Sequence, residues 1–353
     1  MTLASPRLSP RLSPRLSPIT QRRLWAFRRN RRAVWSLAIF TVLFGLSLFS
    51  EFIANDKPVL VWYDGGLYFP SIKTYPEATF GGDFDTEAEY SDSYVSDLIR
   101  AKGWLLWPVI PYAYDTHVQN LPGPAPTPPT LHNWLGTDDQ ARDVVARIIY
   151  GFRVSVLFAL VLTVASTIVG VAVGALQGFY GGMTDLLGQR FLEIWGGLPV
   201  LFILLILSSL VAPNFWWLLG IMLLFSWTML VDLVRAEFLK ARNLDYVRAA
   251  RAMGVSNPVI IFRHVLPNAV VATITFLPFL LTGAINTLTS LDFLGFGLPA
   301  GAASLGELVQ QGKSNIEAPW LGISAFAVLS VMLTLLVFIG EGLRDAFDPR
   351  LNR

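Results

Sequence analysis

Hydrophobic positions along this chain gather into six long runs separated by polar stretches of very unequal length. The runs are Ala33–Ala54, Val154–Leu176, Phe191–Val211, Phe215–Val234, Ala269–Leu291 and Trp320–Gly340. Each is close to the roughly 20 residues that cross a ~30 Å hydrocarbon layer as a helix. Inside lipid every backbone N–H and C=O needs a partner from the chain itself, so runs of this length are predicted to be helices. A large soluble enzyme would surround such runs with amphipathic helices, and the sequence holds few. The predicted fold class is an all-α multi-pass membrane protein with six transmembrane helices.

Composition agrees: of 353 residues, 53% are hydrophobic and 15% charged, against about 25% charged in a soluble domain. The formal net charge of +2 matters less than where the charges fall. Nine arginines and no acid precede Ala33, whereas residues 55–153 hold seven Lys/Arg against thirteen Asp/Glu. Lys/Arg-rich loops stay in the cytoplasm. This predicts a cytoplasmic N-terminus and an external 55–153 segment. Six crossings then put Arg235–His264, with six Lys/Arg, inside, together with Arg344, Arg350 and Arg353. The expected division is a cytoplasmic basic tail, largely disordered, at 1–32; an anchor helix at 33–54; an extracytoplasmic segment at 55–153; a core of five helices at 154–343 with a cytoplasmic loop at 237–268; and a cytoplasmic tail at 344–353. The first apolar run is too long for the core of a cleaved signal peptide, so it is expected to remain as an anchor. The absence of cysteine removes disulfides and thiolate chemistry.

Several polar segments have a local physical meaning. "SPRLSPRLSPRLSP" (Ser5–Pro18) places proline at every fourth position, which forbids a stable helix. The external segment is expected to be irregular. "VLVWYDGGLYFP" alternates around Asp64-Gly65 and allows a short hairpin there, and "LPGPAPTPPT" (Leu121–Thr130) is a proline-rich spacer. Trp62, Tyr63, Tyr68 and Phe69 are residue types that anchor interfaces, or that fasten this segment to the membrane part. Gly170, Gly174, Gly178 and Gly182 recur every four residues, a spacing that permits close helix approach within one subunit or between two. Pro199 interrupts the third run, and Pro278 with Gly283 interrupts the fifth. Broken helices are tolerated where they line a cavity, which makes Pro199, Pro278, Asn286 and Asp292 candidates for a translocation path.

The stretch "DYVRAARAMGVSNPVIIFRHVLPN" (Asp245–Asn268) is the most informative. Asp245 is expected to cap a helix over Tyr246–Met253, and Gly254 sits where a left-handed C-terminal residue belongs. Asn257 is expected to cap a second short helix with Pro258 in its first turn and Pro267 at its end. Ala249, Ala250 and Ala252 keep the first helix slim, while Arg248 and Arg251 add charge. A helix of this shape can enter a groove in another protein. An amphipathic loop resting on headgroups would account for the arginines but not for the alanines.

These residues carry a resemblance. Ala249-Ala250 with Gly254, followed by His264-x-Leu266-Pro267, is similar to the EAA loop of ABC-importer permeases, in the form used by dipeptide and oligopeptide permeases. Three further segments agree. "NWLGTDDQARDVVARIIYGFRVSV" (Asn133–Val156) resembles the signature before the second helix of the C-type subunit, with Ala141 where the family usually has glycine. "SLDFLGFGLP" (Ser290–Pro299) resembles a family segment in which Asp292 replaces serine and Leu288 replaces an acid. The last is the terminal "GLRDAFDPR". Within that family, the stretch Phe27–Pro70 looks like the permease of microcin C-type peptide importers. The resemblance implies the type I ABC-importer permease fold and no catalysis by the chain. It makes Asp245, Tyr246, Arg248, Ala249, Ala250, Arg251, Gly254, His264, Leu266 and Pro267 the surface that couples to an ATPase. It further implies a second homologous permease, ABC ATPase subunits that bind the ATP, an extracytoplasmic peptide-binding protein and a peptide cargo, in a bacterial inner membrane with both termini cytoplasmic. No cofactor of the chain's own and no nucleic acid is expected.

Other chemistries fit less well. "GKS" at Gly312–Ser314 lacks the glycine a phosphate loop needs, since position 307 is glutamate. His117, His132 and His264 are scattered. An ion-coupled carrier or channel, the main alternative, usually keeps ionisable residues at mid-membrane. Here Glu193, Asp232 and Asp292 fall near helix ends. A membrane-anchored receptor would leave the 246–268 loop unexplained.

Overall fold

The computed structural model describes residues 18–119, 121–212, 214–299 and 301–347. Most of the Ser-Pro-Arg-Leu repeat, and Arg350 and Arg353 with the end of "GLRDAFDPR", lie outside the described residues. Where a disordered tail was expected up to residue 32, the chain is helical from Pro18. Helix α1 (Pro18–Arg29) leads directly into α2 (Arg31–Leu48), the first membrane-length helix. Asn30 separates them, its side chain accepting the Ala33 N–H at 3.3 Å. No proline interrupts α1, and the Arg23 guanidinium stands 4.6 Å over the Phe347 ring, tying the helix to the far end of the chain. A single turn, α3 (Ser50–Ile53), follows α2.

The 55–153 segment is more regular than expected. Strands β1 (Leu60–Tyr63) and β2 (Gly66–Tyr68) form an antiparallel hairpin, and Asp64 and Gly65 both take positive φ (46° and 78°). That is the turn whose twist matches paired strands. Helix α4 (Ser93–Lys102) leads into β3 (Gly103–Leu106), which pairs with the free side of β1, giving the order β2-β1-β3. Phe80 is the centre of a small core, with Tyr63, Tyr68 and Tyr90 edge-on around it at 5.6, 5.4 and 5.6 Å. Packed aromatics supply here what disulfides supply in many small external domains. Of the four aromatics singled out in the sequence, Tyr63 and Tyr68 join this core, while Trp62 and Phe69 stay exposed.

Helix α5 (Val144–Tyr180) begins at Val144 rather than Val154. Arg147 and Arg153 interrupt the apolar sequence of its first turns, so hydropathy alone does not reveal them, but Asp143 caps them by accepting the Ala146 N–H at 2.8 Å. Helices α6 (Gly182–Gly196) and α7 (Val200–Leu210) meet at a 73° bend. Helices α8 (Phe215–Ser226) and α9 (Thr228–Ala241) meet at 41°. Then come α10 (Asp245–Ala252), α11 (Asn257–Val259), α12 (Leu266–Phe293), α13 (Leu305–Ser314) and α14 (Pro319–Phe347). Among the described residues, four helical stretches are long and apolar enough to cross a membrane: Arg31–Leu48, Val144–Tyr180, Asn257–Phe293 and Pro319–Phe347. Taking each bent pair as one crossing gives six.

Three of the four spaced glycines fasten α5 to α9. A Cβ on Gly170, Gly174 or Gly178 would lie 2.7, 2.7 or 2.6 Å from the carbonyl oxygens of Trp227, Val231 and Arg235. The close approach is therefore internal to the subunit. Gly182 takes no part in it and instead opens α6. The main apolar core joins α5, α7, α8, α12, α13 and α14.

Candidate functional site

The loop between α9 and α12 is built by its own sequence. Val247 and Ala250 are the buried side of α10, packed in one cluster with Phe179, Val234, Phe238, Ile260 and Ile261. Three residues per turn remain for the outer side, where Tyr246, Arg248, Ala249 and Met253 are exposed. Arg251 also lies outward, its guanidinium 4.9 Å over the Phe179 ring. The helix ends in a Schellman motif: the Gly254 N–H donates to Arg251 O at 3.0 Å and the Val255 N–H to Ala250 O at 3.1 Å. Gly254 has φ +77°, and Val255 packs on the same cluster as Ala250.

Three local expectations change. Asp245 is the first residue of α10 rather than its cap, which is Leu244; there its charge complements the helix dipole. Ser256, not Asn257, precedes α11, with Pro258 in the first turn. Pro267 does not end a helix but lies in the first turn of α12. Proline has no N–H to give to the carbonyl four residues back, and its ring crowds that carbonyl. The backbone immediately before it widens into a π turn over Ile260–Val265, with the Leu266 N–H donating to Ile261 O. His264 lies in this turn, and the Asn268 amide donates to its carbonyl at 3.4 Å. The result is a continuous helical stretch, Asn257–Phe293. The loop's outer surface also displays Phe262, 68% exposed, beside Met253 at 76%. Phe262 was not among the sequence candidates, although two neighbouring isoleucines, both buried here, signalled that one aromatic in "VIIFRHV" would have to face out.

A cavity of 290 Å³ opens among α5, α7, α8, α9 and α12. Thr163 and Ser166 of α5 line it, opposite apolar residues such as Leu204, Met222 and Leu280. The Thr163 and Ser166 hydroxyls are buried without a hydrogen-bond partner among the described residues. None of the four path candidates is a lining residue. Pro199 is the N-terminal flank of α7, at the 73° bend. Pro278 faces α14 at Gly340, and Asn286 is exposed. Asp292 is buried rather than solvated: it accepts the Leu298 N–H at 2.7 Å and the Ser304 hydroxyl at 2.6 Å.

At the start of α5 the Asn133–Val156 signature folds into a buried charge cluster. Arg142 Nε donates to Asp138 Oδ2 at 2.8 Å, and Arg147 Nε lies 3.4 Å from the same oxygen. Glu307 of α13 completes the set, accepting from Arg147 at 2.8 Å and from Arg142 at 3.2 Å. Asp138, Arg142 and Arg147 are essentially inaccessible. Beside them burial pushes the Asp143 carboxyl above the usual range, opposed by the Ala146 N–H and the Asn133 amide. Glu307 had entered the sequence reading only as a position that was not glycine. Two signals pointed to it: the Ser304-x-x-Glu307 capping box and the need of buried arginines for an acid. Ala141, where the resemblance expects glycine, has φ +61°.

Bent helices around a cavity, with a slim helix exposed on the loop, are the features of a membrane permease. The chain belongs to the binding-protein-dependent transport system inner membrane components: that family's model matches residues 167–353, and the N-terminal TM domain of oligopeptide transport permease C matches residues 17–64. The chain is 59% identical to the inner membrane ABC transporter permease protein YejE of Escherichia coli (strain K12), over 94% of this chain and 97% of that protein. It is 57% identical to the peptidoglycan transport system permease protein YejE of Agrobacterium fabrum (strain C58 / ATCC 33970), over 94% and 93%. To the oligopeptide transport system permease protein OppC of Lactococcus lactis subsp. lactis (strain IL1403) it is 34% identical, over 63% and 77%.

Proposed function

We propose that this chain forms half of the translocation pathway of an ATP-driven importer of peptides, microcin C-like peptides or oligopeptides, and that the 246–268 loop couples it to a partner ATPase. The observation that carries this reading is the loop itself. Its apolar residues Val247 and Ala250 are anchored in the bundle, and its outer residues Tyr246, Arg248 and Met253 are left for another surface. A second, related permease completes the path, an external binding protein delivers the peptide, and ATP is bound by the partner rather than by this chain. Nucleotide drives alternating access only through its different affinities for the two states. The Thr163 and Ser166 hydroxyls, unpaired among the described residues, supply polar contacts for a peptide backbone in a mostly apolar passage that Ser226 and Thr287 also line. Residues 55–130 dock the binding protein or cap the outer mouth.

Gly254→Val tests the coupling. A left-handed residue with a side chain costs about 1–2 kcal/mol, enough to distort the turn while the anchored helices still insert. The expected result is a membrane-inserted permease that no longer supports peptide-stimulated ATP hydrolysis in the reconstituted complex; undiminished hydrolysis would sink the assignment. Orientation is tested separately, because the chain has no cysteine to give background. Ser91→Cys should react with an impermeant maleimide on intact spheroplasts, and Ser256→Cys only after permeabilisation. The opposite labelling would invert the topology.

A further inference from the structure

The junction of α1 and α2 meets the last turns of α14 around an open cleft of 430 Å³. Arg29, Arg31 and Arg32 line it from the first two helices, Glu341 and Asp345 from α14, and Asn30 and Phe338 complete it. All five charged residues are exposed. Among the described residues no ion pair within 4.0 Å joins any of the five, although cations and carboxylates share one cleft. The Asn30 amide instead donates to Asp345 at 3.4 Å, and Arg29 lies 5.5 Å over the Trp25 ring.

The position of the cleft selects its partner. Both α2 and α14 are membrane-length helices, so a cleft at their adjoining polar ends lies at headgroup level. Trp25 (64% exposed) and Trp35 (67% exposed) flank it, and tryptophan favours that level. Helix α1, with exposed Leu24 beside basic residues, has the composition of an interfacial helix. A surface made only to attract anionic lipid would need the arginines and be weakened by the two acids. A ligand that is itself a zwitterion uses both. Guanidinium groups hold phosphate oxygens in a fork, and a primary ammonium offers three donors to carboxylates.

We propose that this cleft binds the headgroup of an aminophospholipid, with the phosphate on Arg29, Arg31 and Arg32 and the ammonium on Glu341 and Asp345. Phosphatidylglycerol lacks the cation, and phosphatidylcholine carries a cation with no N–H to donate. The site depends on membrane insertion but not on which way the chain faces, nor on its cargo.

The test is native mass spectrometry of the full chain released from detergent, titrated with phosphatidylethanolamine, phosphatidylglycerol and phosphatidylcholine. The wild type should retain phosphatidylethanolamine about tenfold better than either other lipid, the scale of one charge-assisted contact. The double variant Glu341→Gln, Asp345→Asn should bring phosphatidylethanolamine down to the level of phosphatidylglycerol, with an unchanged melting temperature showing that the fold is intact. Arg32→Gln should lower retention of all three. Equal retention of the three lipids by the wild type would overturn the proposal, as would a preference that survives the double variant. Displacement of bound lipid by soluble phosphoethanolamine at matched concentration would overturn the membrane as the source of the ligand.

Discussion

Two charged regions sit at the two ends of α5, and they treat their charges in opposite ways. At its start, Asp138, Arg142 and Arg147 are shielded from solvent and joined to one another and to the partly exposed Glu307. Near its end, Arg248 and Arg263 project from a loop with no ion pair among the described residues, beside exposed Met253 and Phe262. The first arrangement finds its ion-pair partners within the chain, with Arg147 Nε left without a hydrogen bond among the described residues, so its charges hold structure together. The second is anchored underneath and exposed on top, the arrangement that the proposed coupling to a partner ATPase requires. Charge count alone does not separate the two; pairing does.

The sharpest way to break the contrast is at Asp138. Removing one member of a buried charge set strands the others and costs about 3–5 kcal/mol. Asp138→Ala, which leaves Arg142 and Arg147 with Glu307 alone, should therefore lower the melting temperature and yield of the purified protein more than any change in the loop; a near-normal melt would show that water or Glu307 compensates. The next effect is smaller and of opposite sign. Ala141 is held at φ +61° within this outer region, where a Cβ costs about 1–2 kcal/mol and glycine's greater freedom when unfolded returns part of that. Ala141→Gly should stabilise by about 1 kcal/mol in chemical unfolding, and a loss of stability would mean that the methyl is needed for packing. The smallest effect on the fold is expected at the other end. Met253→Asp, at a residue 76% exposed, should change stability by less than about 0.5 kcal/mol while reducing ATPase stimulation in the assembled transporter. A large loss of stability instead would place Met253 with the structural residues.

How much of this was legible in the sequence depended on which physical signal carried it. Continuous apolar runs exposed the crossings, and Gly254 with Asp64-Gly65 announced turns because few other residues take those conformations cheaply. Boundaries failed where charged residues break an apolar run, as Arg147 and Arg153 do in the first turns of α5, whose cap at Asp143 was the better signal. Pro267 was misread because proline both ends helices and begins them, and only the following 26 helical residues, through Phe293, decide which. The path candidates lie away from the cavity for a different reason. Prolines such as Pro199 and Pro278 show where a backbone bends, whereas the cavity is lined by whichever helix faces survive packing, and that choice is tertiary. Asp292 had looked like a solvated helix end, but its partners at Leu298 and Ser304 come from the following loop, beyond the reach of any local pattern.

The stretch from Asn257 to Phe293 also has a mechanical meaning. At about 1.5 Å per residue it is a rod roughly 55 Å long, rooted in the exposed loop at one end. At the other end Asp292 grips Ser304, the residue that opens α13, and α13 carries Glu307 into the charge cluster. A rod of that kind transmits a tilt with little loss, and its compliance is concentrated at two places, the π turn at Ile260–Val265 and Pro278. Under the proposed coupling, a stroke applied at the loop would be carried along this rod to α13 and the charge cluster.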